Sequence, residues 1–231
     1  MYTLHYAPDN ASLIVRLTLE EIGQPYRTVL VNRALRHQDS PAYRAVNPAG
    51  LIPSLQTPVG ALFETGAILL WLAETHAALA PRPGDPARGA FLTWLFFTAN
   101  TLHADIRLHF HPERHAGSDI GLAGFRAATL ARILRHLALV EAMAAGDRPD
   151  WFIPGQPSVL TYYISGLLRW LALYPRDRQG GFDLAAFPAL HAIAAAMEIR
   201  PAARAAALAE GLGDTIFTRP TYACPPEGSA T

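Results

Sequence analysis

Two short stretches carry residue types whose spacing could do chemistry. Pro53 sits inside the apolar run Leu51-Ile52-Pro53-Ser54-Leu55, which reads as a strand. Proline lacks the amide hydrogen that a strand interior needs, so it belongs at an edge. A cis bond to Pro53 would turn the amide and carbonyl of Ile52 away from the sheet, free to pair with an extended ligand. A trans proline closing an edge strand is the plainer alternative. Asn47-Pro48-Ala49-Gly50 supplies a turn just before it. Farther along, Glu64-Thr65 precedes a helical run. Thr65 can cap that helix, the first amides of the helix make an anion site, and Glu64 adds a carboxylate. Together these groups would grip the α-amino group and α-carboxylate of one amino acid beside an exposed strand edge.

Other reactive residues are sparse. His103, His109, His111 and His115 cluster in sequence, but a zinc site needs three or four ligands on rigid neighbouring positions. His109 and His111 would leave a helix on different sides, and no cysteine is near, so no metal is expected. The single cysteine, Cys224, excludes an intrachain disulfide and suits a reducing compartment. Every basic side chain is arginine, so no lysine is available for a Schiff base. The 19 basic and 19 acidic residues cancel, which gives no basic excess for nucleic acid or a membrane surface. No signal peptide is legible at the start, and the longest apolar stretches, such as 66–73, are too short to span a bilayer. A cytoplasmic globular protein is expected.

The elements that must position these residues follow from pattern. Tyr2 to Tyr6 reads as a strand, Ser12 to Ile22 as a helix stopped by Gly23, and Tyr26 to Val31 as a second strand. Arg33 to Arg44 reads as a loop with a short helix. Leu51 to Gln56 and Leu62-Phe63 read as further strands around a Pro58-Val59-Gly60 turn, and Thr65 to Ala80 as a helix. This order fits an α/β domain over 1–80. Pro81-Arg82-Pro83-Gly84-Asp85-Pro86 reads as a linker over 81–86. Helices are expected near 87–112, 118–146, 158–174, 184–199 and 201–211, within an all-helical domain over 87–217. A loosely attached tail is expected over 218–231.

These motifs together resemble the glutathione transferase superfamily, in particular its bacterial, beta-like members. The carriers are Asn47 through Leu55 followed by Phe63-Glu64-Thr65-Gly66-Ala67-Ile68-Leu69-Leu70-Trp71-Leu72, which look like the family's N-terminal signature. Trp94 to His103, Phe110-His111-Pro112-Glu113-Arg114, and Ser158 opening a helix that runs to Trp170 are similar to the helical part. The resemblance covers roughly residues 2–200. It implies a thioredoxin-like N-terminal domain, an all-α C-terminal domain, a homodimer, and glutathione as co-substrate with no covalently bound cofactor. Glutathione would meet Ile52, Pro53, Glu64 and Thr65, with Arg36 and His37 near its glycyl carboxylate.

The resemblance also implies a donor to the glutathione thiolate, and here the chain departs from the pattern. Cysteine-type members carry Cys where this chain has Ala11, and serine-type members carry Ser near Asp9. Tyr6, Asn10 and Ser12 are the remaining candidates around the first strand-to-helix turn. His103 aligns with a histidine that projects from the helical domain, as donor or base. Thr161 stands where the family usually has the Asp of a helix cap, so that cap should be weaker. The activity implied is conjugation of glutathione to a hydrophobic electrophile. The alternative is a catalytically impaired glutathione-binding or protein-interaction module of the same fold.

Overall fold

The computed structural model describes residues 1–116, 121–176 and 181–230. Strand β1 (Tyr2–Tyr6) runs parallel to β2 (Tyr26–Leu30), with Tyr2 opposite Tyr26 and Tyr6 opposite Leu30. Parallel neighbours need a crossover, and helix α1 (Ser12–Glu21) provides it. The short helix α2 (Pro41–Arg44) follows, capped by the Ser40 hydroxyl. Strand β3 (Ser54–Thr57) lies antiparallel to β1, with Leu55 opposite Leu4, and β4 (Gly60–Phe63) pairs with β3. The sheet order is β2-β1-β3-β4, and helix α3 (Thr65–Thr75) follows. This mixed sheet with its helices is the expected thioredoxin-like arrangement.

Several boundaries differ from expectation, among them two in this half. Pro53 precedes β3 rather than interrupting it, because the strand begins at Ser54. Helix α3 stops at Thr75 rather than Ala80, since Ala77 and Leu79 take φ values of 50° and 62° that a right-handed helix cannot hold.

The C-terminal half is helical, as expected. Helix α4 (Arg88–Phe97) passes through a π-helical turn, Thr98–Leu102, into α5 (His103–Phe110). Then come α6 (Leu122–Ala145), α7 (Val159–Leu173), α8 (Pro188–Glu198) and α9 (Pro201–Glu210). The expected start of the 118–146 helix lies outside the described residues. At the head of α7 the Thr161 amide donates to the Ser158 hydroxyl at 3.1 Å, and the Ser158 amide donates to the Thr161 hydroxyl at 2.8 Å. The reciprocal cap therefore forms with threonine in the acid's place.

Helix α1 is buried on both sides. Val15 and Leu19 join Leu4, Leu55, Ile68 and Leu72 in a cluster against the sheet. Leu13, Ile14 and Leu17 join the larger cluster that runs through α4 to α9. The contact is tight at Gly166 of α7, where a Cβ would stand 3.0 Å from Ile14. The segment read as a loose tail lies against this body at several points. The Cys224 amide donates to the Gly211 carbonyl at 2.8 Å, and the Tyr222 hydroxyl donates to the Leu173 carbonyl at 2.9 Å. Gly228 packs on Leu30, and Ala230 is buried.

Candidate functional site

An open cleft of about 1290 Å³ lies between the sheet's first turn and the α4–α5 rod. One wall is the loop before β3. The Tyr43 hydroxyl and the Asn47 side-chain amide both donate to the Leu51 carbonyl, at 2.6 and 2.7 Å. Asn47 Oδ1 also accepts the Ala49 amide at 3.0 Å. Gly50 takes φ 64°, and a Cβ there would meet the Gln38 carbonyl at 3.0 Å, so the turn needs glycine on two counts. The Ile52–Pro53 bond that follows is cis, and both residues line the cleft. Glu64 and Thr65 line it too. Glu64 is the N-cap residue of α3 with φ 70°, a conformation that side chains rarely adopt. Thr65 is the first helical residue, and no side chain caps this helix, so the expected Thr65 cap is absent. The first-turn amides of α3 carry no acidic side chain of their own.

The second wall is the turn from β1 to α1, with Asp9, Asn10 and Ala11 at the surface of the cleft. Asp9 is buried at φ 50° and heavily bonded. Its carboxylate accepts Arg169 Nε at 2.7 Å, Trp170 Nε1 at 2.9 Å and the Tyr174 hydroxyl at 3.0 Å. Its amide donates to Glu210 at 2.8 Å. Asn10 uses its Oδ1 to accept the Ala11 amide at 2.8 Å.

The structure places the other two donor candidates elsewhere. The Tyr6 hydroxyl donates to the Glu227 carboxylate. Burial, then that bond and the Glu227 charge, push the phenol well above its ordinary range. Ser12 is fully buried, and its hydroxyl donates back to the Ala7 carbonyl at 3.0 Å instead of entering the site. Neither Tyr6 nor Ser12 lines the cleft.

The third wall comes from the rod. The π turn puts Asn100 and His103 on the cleft side, and such turns recur where a helix must present side chains. His103 Nδ1 lies 2.9 Å from the Tyr163 hydroxyl, a bond whose donor depends on the ring tautomer. Burial pushes the His103 pKa down to about 4, with Arg107 adding to it. The ring is therefore neutral at pH 7 and is not a base poised near neutrality. The Tyr163 phenol is pushed up by burial and then by the Glu64 carboxylate. Tyr163 lines the cleft beside His103.

Arg36 reaches the cleft, but its guanidinium bonds Asp39 at 2.8 Å. His37 is exposed and lies outside the cleft lining. Sequence reasoning missed Asn100 and five arginines that also line the cleft, Arg33, Arg44, Arg107, Arg114 and Arg176. A signal existed for one of them, because Arg107 follows His103 by one helical turn. Among the described residues no group of three or more His, Cys, Asp or Glu could hold a metal ion. No helix among the described residues is long and apolar enough to cross a membrane.

Comparison with known proteins agrees with this arrangement. Residues 4–82 match the family model for the glutathione S-transferase N-terminal domain. A sphingomonad glutathione S-transferase solved in complex with glutathione is 33% identical, with a TM-score of 0.73 over 91% of this chain and 100% of that one. Glutathione S-transferase GstA of Escherichia coli is 27% identical over 90% of this chain and 98% of that protein. Maleylacetoacetate isomerase of Rhizobium meliloti is 30% identical over 62% of this chain and 72% of that protein.

Proposed function

The chain belongs to the glutathione transferase superfamily, as a bacterial, beta-like member, and from that premise we propose that it binds reduced glutathione in the cleft and adds its thiolate to an electrophile. The observation that carries this reading is the convergence of Ile52, Glu64 and Thr65 on one wall, facing Asn100 and His103 on the other. The γ-glutamyl amino group meets the Glu64 carboxylate, and its α-carboxylate meets the Thr65 hydroxyl and the first amides of α3. The cysteinyl backbone pairs with Ile52. The sulfur then faces the turn at Asn10 and Ala11.

A free thiol titrates near ~8.5, so the site must favour the thiolate by donation. Asn10 is the donor in this reading, since its side-chain nitrogen lies in the turn while its oxygen is held by the Ala11 amide. The neutral His103 ring contributes as a hydrogen-bond donor, not as a charged one. In the reaction the S–C bond forms at the electrophilic carbon, the leaving group departs with its electron pair, and the thiol proton goes to solvent. Ile106, Phe110 and Tyr174 offer the acceptor an apolar seat. The reading also takes the chain as a cytoplasmic homodimer with its two domains meeting near 81–86. The exposed Phe63 and Phe96 are consistent with a subunit contact.

Calorimetric titration with glutathione, run beside a conjugation assay with 1-chloro-2,4-dinitrobenzene, tests the reading. Binding and turnover are expected, with Asn10→Ala lowering the rate more than the affinity. Absence of glutathione binding would end it. Binding without turnover would favour the impaired module, a second reading that the Ala11 position itself supports.

A further inference from the structure

We propose that the far end of the cleft is built for a carboxylate, so that the electrophile this protein accepts is an anion with an apolar body; this rests on the glutathione-dependent reading of the site. Four guanidiniums line that end from four separate elements. Arg33 comes from the loop after β2, Arg107 from α5, Arg114 from the short turn 112–114, and Arg176 from the segment after α7. Helical spacing puts Arg107 on the face of α5 that carries His103, and His111 continues that line.

These cations stand in contrast to the arginines around them. Arg16 pairs with Glu210 at 2.7 Å, Arg169 with Asp9 at 2.7 Å, and Arg36 with Asp39 at 2.8 Å. Glu113 lies 3.8 Å from Arg114 and 3.6 Å from His111, and Arg176 lies over the Tyr222 ring at 4.4 Å. Burial, followed by the charge of Arg114, lowers the pKa of Arg33. Burial and then Arg114 likewise lower His111, with Arg33 and Arg107 adding to the effect and Glu113 opposing it. Arg33, Arg107 and Arg114 are therefore close enough to one another and to His111 for their charges to be felt, and among the described residues Glu113 is the one acid that opposes them at His111. Like charges gathered in a half-buried site are relieved by a bound anion, and a guanidinium fork fits a carboxylate in two-point geometry. Ile106, Phe110 and the Tyr174 ring line the same cleft and suit an unsaturated or aromatic body.

The test compares two glutathione conjugates that differ only at the acceptor's charge. Glutathione displaces chloride from 4-chloro-3,5-dinitrobenzoate or from its methyl ester; the S–C bond forms and chloride leaves with the bonding electrons. Calorimetry with the two purified conjugates reads affinity without requiring turnover. The acid conjugate is expected to bind about tenfold more tightly than the ester, the gain of about one charge-assisted hydrogen bond. In an Arg107→Gln, Arg114→Gln double variant that preference should vanish, with affinity for unconjugated glutathione unchanged. Raising the salt from 0.1 to about 0.5 M should shrink the preference in the unaltered protein.

Equal or weaker binding of the acid conjugate overturns the proposal. So does a double variant that weakens glutathione as much as the acid conjugate, since the arginines would then serve the tripeptide's own carboxylate. Failure of the underlying reading shows separately, as no affinity for glutathione itself. Titration of 4-chloro-3,5-dinitrobenzoate against its methyl ester in the absence of thiol then still decides the carboxylate site.

Discussion

Glu64 combines its proposed binding role with an unfavourable backbone. Its φ of 70° costs of order 1–3 kcal/mol for a residue with a side chain, a cost that glycine largely escapes. Glu64→Gly should therefore raise the melting temperature by about 2–4 °C, the shift expected for about 1 kcal/mol in a chain of this size. Calorimetric affinity for glutathione should fall in the same variant. A loss of both stability and affinity would mean that the side chain, not the backbone, sets the stability here. The Glu64-Thr65 pair and the proline at 53 were legible in sequence because an acid, a hydroxyl and an imino acid are conspicuous at those spacings. The fates of Tyr6 and Ser12 were not. Tyr6 is claimed by Glu227, which is remote in sequence, and Ser12 by the Ala7 carbonyl, a choice that turn geometry alone decides.

Helices α1, α7 and α9 are tied together through the first turn. Asp9 is the shared partner of Arg169, Trp170 and Tyr174, and removing it would strand a buried guanidinium. Asp9→Ala should cost about 3–5 kcal/mol in urea unfolding, the usual penalty for an orphaned buried charge. A loss below about 1 kcal/mol would show that water replaces the carboxylate.

Glu210 on α9 makes stability depend on pH. Burial pushes its pKa up to about 7 despite the opposing charge of Arg16. The folded state therefore holds this proton where the unfolded chain has released it, and the contribution fades as pH climbs from about 4.5 to about 7. Glutamine does not titrate, so the stability of the unaltered protein relative to Glu210→Gln should fall as pH rises over that range. Urea midpoints at pH 5 and pH 8 check this, and a relative rise would refute the assignment. The rod from Arg88 to Phe110 was legible as a helix, but its π turn was not, because one extra residue per turn barely disturbs apolar periodicity.

At the scale of the molecule, α1 makes the sheet and the helical bundle interdependent. Leu13, Ile14 and Leu17 belong to the bundle's core, although they lie on the first helix of the α/β half. Calorimetry should show one unfolding transition, and a fragment of residues 1–80 should show no cooperative melt. Two separated transitions would mean that this shared packing is weak. Sequence pattern found both halves, since strand alternation and helical runs are local. It could not find the arginine end of the cleft, whose members come from the loop after β2, from residues 107–114 and from the segment after α7. That end exists only once the rod folds against the loop after β2.

Trp170 stands in the cleft wall with its indole N–H fixed on Asp9, and its ring centroid is 6.0 Å from that of His103. An indole so held is a native optical reporter. A nitroaromatic group entering the cleft should quench emission at this position, and Trp170→Phe should remove that part of the signal while Trp71, Trp94 and Trp151 continue to emit. Occupancy of the site can then be followed on the millisecond scale without attaching a dye.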